Sequence, residues 1–172
     1  MIKITRATEK NFHLLSEIGK QSFVESHGSS AAEKDILEYS SAAFSNEAIK
    51  KELADPENIY HIVYYDETPA GYSKIILNAA HKNIQLKNVT KLERIYLLKE
   101  FYGVNAGSEL FNFNVELSRS NGQAGMWLFV WTQNPRAIHF YKRNGFEIIG
   151  SHQFRLTETH SNPNHQMLLL YS

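Results

Sequence analysis

The stretch of this chain best suited to chemistry runs Leu92-Glu93-Arg94-Ile95-Tyr96-Leu97-Leu98-Lys99-Glu100-Phe101-Tyr102-Gly103-Val104-Asn105-Ala106-Gly107-Ser108. An apolar segment leads into a loop of small residues, and a helical pattern starts directly after it. Such a junction leaves several backbone N–H groups without acceptors and presents the positive end of a helix. Both features favour a phosphate or pyrophosphate. A plain tight turn between strand and helix fits the same residues, and the segment alone does not separate the two readings. The histidines raise a second chemistry, metal ligation. His160 and His165, five apart around a polar Ser-Asn-Pro-Asn run, read instead as surface residues, and no metal is expected. With no cysteine in the chain, thiolate ligands, disulfides and a cysteine nucleophile are excluded.

These residues need elements to hold them. Ile2 to Ile4 alternates as a first strand, and Thr8 precedes a helical pattern carrying Phe12, Leu15, Ile18 and Phe23. Residues 33–54 read as a second helical region, with Ile36, Leu37, Phe44, Ile49 and Leu53, stopping at Asp55-Pro56. Ile59 to Tyr65, a turn at Asp66-Glu67-Thr68-Pro69, and Gly71 to Leu77 make a hairpin. Val89 to Leu98 is the next strand, followed by a helix over about 105–120 with Leu110, Phe113 and Leu117 toward a core. Met126 to Trp131 is apolar on both faces and should lie centrally. Its alternating Trp127, Phe129 and Trp131 read as core, with Trp131 nearest Asn134. Asn134-Pro135 supplies a cap and a first-turn proline for a helix that closes at Lys142-Arg143-Asn144-Gly145. Strands at Phe146 to Ser151 and Gln166 to Tyr171 finish the chain. The order β-α-α-β-β-β-α-β-α-β-β predicts an α+β (mixed α/β) layered domain.

Length and composition agree. The 172 residues are 42% apolar and 21% charged, which predicts one soluble domain over 1–172. Eighteen Lys and Arg balance eighteen Asp and Glu, so a general nucleic-acid binder is not expected. The start is too polar for a signal peptide, and no apolar run approaches the ~20 residues of a membrane span. The expectation is a cytoplasmic protein with no membrane partner.

The segment Lys91 to Ser108, together with Asn134-x-x-Ala137-x-x-Phe140-Tyr141-x-x-x-Gly145-Phe146, resembles the GCN5-related N-acetyltransferase (GNAT) superfamily. The element order matches along nearly the whole chain. Leu92-Glu-Arg-Ile-Tyr-Leu and the hairpin ending Ala70-Gly-Tyr-Ser-Lys look most like the bacterial PaiA-type spermidine/spermine N-acetyltransferases. The resemblance implies a central, mostly antiparallel sheet of six to seven strands flanked by about four helices, and an acetyl-CoA site without a metal. The family's pyrophosphate loop, Gln/Arg-x-x-Gly-x-Gly/Ala, falls on Tyr102-Gly103-Val104-Asn105-Ala106-Gly107, with Ser108 beside it. Tyr102 replaces the usual Gln or Arg but keeps a backbone N–H. Asn105 replaces the first defining glycine, and asparagine is the best substitute where φ is positive.

By the same resemblance, the backbone of Ile95, Tyr96 and Leu97 would hydrogen-bond the pantetheine arm, and Asn134 would touch it from the next helix. Tyr141 would be both a neighbour of the CoA sulfur and the general acid. The Leu97 amide would polarise the thioester. Glu93 matches a carboxylate that serves some relatives as base, often through water; an exposed or Arg-paired structural Glu fits equally well. Glu25, Glu33, Asp35 and Glu38 lie where the family builds its acceptor groove, and a polycation would want carboxylates there. Solvated helix faces explain them as well. The implied acceptor is a small-molecule amine, first a polyamine. A protein N-terminus, a lysine or another amine is the alternative, and a degenerate CoA-binding or partner-binding module is the rival of another class. Relatives are often dimers, so a homodimer is expected by analogy alone.

Overall fold

The computed structural model describes residues 1–172. Seven strands and five α-helices follow one another as β1 (Ile2–Arg6), α1 (Phe12–His27), α2 (Glu33–Ala43), α3 (Asn46–Ala54), β2 (Asn58–Tyr65), β3 (Thr68–Ile76), β4 (Val89–Leu97), α4 (Ala106–Ser120), β5 (Gly125–Trp131), α5 (Pro135–Arg143), β6 (Glu147–Arg155) and β7 (Ser161–Leu170). The sheet order is β1-β2-β3-β4-β5-β7-β6. Pairing is antiparallel for β1/β2, β5/β7 and β6/β7, and parallel for β4/β5. This is the mixed α+β architecture expected, with β5 inside the sheet.

One element differs. The helical region 33–54 is two helices, because the chain leaves the helix at Phe44 and restarts with Ser45, whose side chain caps α3 by accepting from the Ala48 N–H at 3.1 Å. Phe113, expected to face the core, stands exposed on its helix. The expected turn at Asp66 to Pro69 is tighter: Asp66 and Glu67 alone make it, both at positive φ, while Thr68 and Pro69 already belong to β3.

The chain forms two compact units, Met1–Ile75 with Arg94–Asn114, and Ile76–Glu93 with Val115–Ser172. In the first, β1 pairs with β2 from Ile2↔Tyr65 to Arg6↔His61. Val63, Ala70, Ala106 and Leu110 form a fully buried cluster against which Ile95, Leu97, Phe101 and Val104 pack. That cluster fixes the start of α4 on the sheet. Gly19 lets α1 approach the ring of Phe44, which a Cβ there would meet at 2.4 Å.

In the second unit β5 pairs with β7 along its whole length, Gly125↔Leu170 to Trp131↔Asn164. Its register with β4 covers only Val89↔Gly125 to Lys91↔Trp127. Ile84, Val89 and Trp127 form the core cluster on this side; Phe129 packs against it half-buried, and Trp131 is half-buried. Tyr171 falls just beyond β7, and the β6/β7 hairpin is longer than its apolar residues imply.

Candidate active site

In the first unit, β4 ends at Leu97 and a single 3-10 turn, Lys99–Phe101, leads to the loop. The Phe101 N–H donates to the Leu98 carbonyl at 2.9 Å and the Tyr102 N–H to the Lys99 carbonyl at 3.1 Å. The Tyr102 amide is therefore occupied by the turn, contrary to its expected availability to a ligand. Gly103 at φ 87° and Asn105 at φ 69° are both left-handed, so Asn105 does take the backbone shape that a glycine would. The Asn105 carbonyl accepts the Glu109 N–H at 3.1 Å and opens α4. Ala106, Gly107 and Ser108 form the first turn of α4, whose amides have no acceptor within the helix. Gly107 keeps this turn close to β4: a Cβ would sit 3.1 Å from Leu97 Cδ1. Gly103 and Asn105 are exposed, Val104, Gly107 and Ser108 half-buried and Ala106 fully buried, so the loop is open to solvent at Gly103 and Asn105, beside a helix start.

The backbone of β4 is held from the β3 side. The Leu98 N–H donates to the Ala70 carbonyl at 2.9 Å. At Gly71 a Cβ would lie 2.2 Å from the Tyr96 carbonyl oxygen, so only glycine allows this approach. The side chains of β4 do not alternate simply. Thr90 Oγ1 reaches Ser118 of α4 at 2.7 Å, whereas Ile95 and Leu97 pack with Ala106 and Leu110 of the same helix. An even and an odd position thus meet one helix, and the phase of the strand slips within residues 91–94.

On the other face Arg94 enters a polar cluster that residue types and spacing do not reveal. Arg94 donates to Glu52 at 3.1 Å and to the Tyr60 hydroxyl at 3.0 Å, Tyr60 donates to Glu52 at 2.8 Å, and Lys74 donates to Glu52 as well. Burial alone would raise the Glu52 carboxyl, but the charges and hydrogen bonds of Arg94, Lys74 and Tyr60 outweigh it and hold it below the usual range. Tyr96 stands between Tyr72, 6.1 Å away, and His27 of α1, 5.9 Å away, and burial pushes its hydroxyl up to about 12. Of the four acidic residues singled out on α1 and α2, Glu25 accepts from the Lys99 N–H at 2.7 Å and Glu38 pairs with Lys34 of its own helix at 3.9 Å. Glu33 and Glu38 are exposed and Asp35 half-exposed.

In the second unit Asn134 caps α5: its side chain accepts from the Ala137 N–H at 3.2 Å, with Pro135 at the first helical position. Its amide nitrogen carries two further donors. Tyr141 is 9% exposed, its ring edge-on to Phe140 at 5.6 Å and to Phe146 at 5.5 Å. The Phe146 N–H returns to the Tyr141 carbonyl at 3.0 Å and Gly145 turns the chain at φ 94°. Glu93 is half-buried on β4, two residues past the last β4/β5 register pair.

The residues expected to hold the phosphates thus come together in the first unit, and Asn134 and Tyr141 share one helix of the second. His160 is half-buried beside Asn162, 2.9 Å away, and no group of three or more His, Asp or Glu side chains is placed to hold a metal ion.

Comparison with known proteins adds four findings. The model of the acetyltransferase (GNAT) family matches residues 21–146, a span that draws on both compact units. An uncharacterized N-acetyltransferase of Lactobacillus delbrueckii subsp. lactis is 28% identical over 155 residues, 90% of this chain and 90% of that one. Among solved structures, the PaiA N-acetyltransferase from Thermoplasma acidophilum in complex with coenzyme A aligns with a TM-score of 0.78 at 19% identity, over 99% of each chain. The ribosomal-protein-S18-alanine N-acetyltransferase from Escherichia coli aligns with a TM-score of 0.69 at 15% identity, over all of this chain and 95% of that one. At such identities the structural likeness speaks for the fold.

Proposed function

The chain belongs to the acetyltransferase (GNAT) family, and we propose that it moves the acetyl group of acetyl-CoA directly onto a primary amine of a small molecule, a polyamine first. One acetyltransferase domain over residues 1–172 carries this activity in our reading. The observation that carries this is the loop at the start of α4, where Gly103 and Asn105 adopt left-handed backbone and the amides of Ala106, Gly107 and Ser108 lack helical acceptors. A pyrophosphate is the ligand such a cradle suits. The left-handed Asn105 also weighs against a decayed, non-binding module.

Acetyl-CoA supplies an activated thioester; the chain's residues do the rest. Ile95, Tyr96 and Leu97 offer backbone groups to the pantetheine arm, and the Asn134 side-chain amide donates to it. The Leu97 N–H polarises the thioester carbonyl. A free alkylamine has a pKa of ~10.4, so only about one molecule in a few thousand is neutral at pH 7. Glu93 takes the first proton from the incoming ammonium, directly or through a water, and the neutral nitrogen bonds to the thioester carbon. The C–S bond breaks as Tyr141 donates its hydroxyl proton to the departing thiolate, and the second nitrogen proton restores the Tyr141 hydroxyl. A polycation is favoured by charge. The first unit carries ten Lys and Arg against fourteen Asp and Glu, a net −4, with Glu25, Glu33, Asp35 and Glu38 on α1 and α2. Thiol release with acetyl-CoA and a panel of amines tests the proposal. Turnover on spermidine or spermine supports it, turnover only on a peptide N-terminus or a lysine peptide moves the acceptor to a protein, and no turnover on any amine removes the reading.

A further inference from the structure

The overall neutrality of the chain hides a separation of charge. The second unit carries eight Lys and Arg against four Asp and Glu, a net +4. Residues 76–92 contain His81, Lys82, Lys87 and Lys91 and no carboxylate, and neither β5 nor β7 has one.

Part of this charge gathers on one aromatic shelf. The Lys91 Nζ lies over the rings of Trp127, at 5.2 Å, and Phe129, at 5.3 Å. His152 of β6 stacks on Phe129 with centroids 4.1 Å apart and planes 12° from parallel. His81, from the segment joining β3 to β4, tilts against Trp127 at 5.0 Å and meets Phe129 edge-on at 6.0 Å. Three basic side chains from three different segments therefore converge within about 6 Å of one ring, a distance at which each senses the others. His152 is exposed and His81 and Lys91 are partly so, which leaves the shelf open to solutes.

A second feature points to a ligand. Gln166 of β7 stands directly opposite both Phe129 and Gly150, on the face that carries the shelf. It is 0% exposed; its carbonyl oxygen takes the Asn83 side-chain amide at 2.7 Å, and its own Nε2 is buried without a partner. Gly150 leaves the space beside it to the Asn83 and Gln166 side chains. Its Cβ would sit 3.0 Å from Asn83 Nδ2.

We propose that this shelf binds a small oxyanion, a phosphate or a carboxylate, with Lys91, His81 and His152 as its donors. Burial first, then the charges of Lys82 and Lys91, hold His81 below its usual value; burial, then Lys91 and His81, do the same for His152. The other titrating or charged groups of these segments are Lys82 and Lys87 ahead of β4, Glu93, Arg94 and Tyr96 on β4, Glu147 and Arg155 on β6, and His165, which stands one register step away on the opposite face of β7. An anion reverses the field at the two shelf histidines, so it raises their proton affinity and binds more tightly as pH falls.

The test is proton NMR of the histidine ring signals of the full chain, without coenzyme, titrated with sodium phosphate and separately with sodium acetate at constant ionic strength. A saturable shift confined to His81 and His152, with the apparent pKa of both rising by about half a unit or more, supports the site. Saturation by phosphate alone identifies a phosphate site; saturation by acetate as well identifies a general oxyanion site. Lys91→Gln should weaken binding about ten-fold with an unchanged circular dichroism spectrum, and His152→Asn gives the same comparison should Lys91→Gln not fold. Shifts that grow linearly with salt, that match those of exposed His13 and His139, or that persist in both variants overturn the proposal.

Discussion

Replacing Gly71 by alanine tests how closely β3 must approach β4. The new Cβ would lie 2.2 Å from the Tyr96 carbonyl oxygen, 2.7 Å from Leu97 Cδ2 and 3.0 Å from Leu97 Cα. Two of these are backbone atoms, so no rotamer change relieves them. With ordinary contacts at ~3.5 Å, the strands must separate by about 1 Å at this point. The adjacent hydrogen bond from the Leu98 N–H to the Ala70 carbonyl, 2.9 Å in the native chain, is then stretched beyond its useful range. Losing one such bond costs about 1 kcal/mol and overpacking costs about 1–3 kcal/mol, together ~2–4 kcal/mol. For a chain of this length that lowers Tm by roughly 5–15 °C. The displaced backbone is the one proposed to meet the thioester, where a ~1 Å error can cost up to 10²-fold in rate. Thermal unfolding by circular dichroism and thiol-release turnover measure the two effects. Gly107→Ala, whose Cβ meets only the movable end of Leu97 at 3.1 Å, should cost less than ~1 kcal/mol and serves as the comparison. A Gly71→Ala protein with wild-type Tm and turnover would refute the close-approach argument.

Tyr141→Phe keeps the ring that packs on Phe140 and Phe146 and removes the proposed acid; turnover should fall about 10²-fold with acetyl-CoA affinity within a few-fold. Unchanged turnover by stopped-flow thiol detection would remove Tyr141 from the mechanism. Asn105→Gly should keep or improve coenzyme binding by calorimetry, whereas Asn105→Ala, forced to hold φ near 69°, should lose ~1–2 kcal/mol of stability. A large loss of binding in Asn105→Gly would show that the side chain itself contacts the ligand. Burial holds His27 and His61 down to about 4, with Arg6 adding to the effect at His61. The unfolded chain binds those protons near 6.5, so stability is full above that value and falls as pH drops toward 4. Urea midpoints at pH 7.5 and pH 5 should show the loss, and His27→Gln should reduce it; equal midpoints would contradict the assignment.

Much of this architecture is legible in residue order, because strands and helices announce themselves locally. Asn134-Pro135 and Lys142-Arg143-Asn144-Gly145 mark both ends of α5 correctly, and the positive φ at Asn105 follows from the resemblance to the family's loop, which has a glycine at that position. The break between α2 and α3 hides because neither proline nor glycine marks it. The capping Ser45 ahead of Glu47 is the signal that could have found it. Glu52, Tyr60, Lys74 and Arg94 escape a linear reading for a different reason: they come from α3, β2, β3 and β4, and only sheet pairing brings them together. The charge separation is likewise invisible to a whole-chain count, since −4 and +4 cancel.

The central claim is acetyl transfer from acetyl-CoA to an amine, and the most direct test titrates the purified chain calorimetrically with acetyl-CoA and then follows thiol release and product mass with spermidine, spermine and control amines. Micromolar binding through the Tyr102 to Ser108 loop, with stoichiometric appearance of free thiol and acetylated polyamine, is the predicted result. No binding at millimolar acetyl-CoA, or thiol release without any acetylated amine, would contradict it.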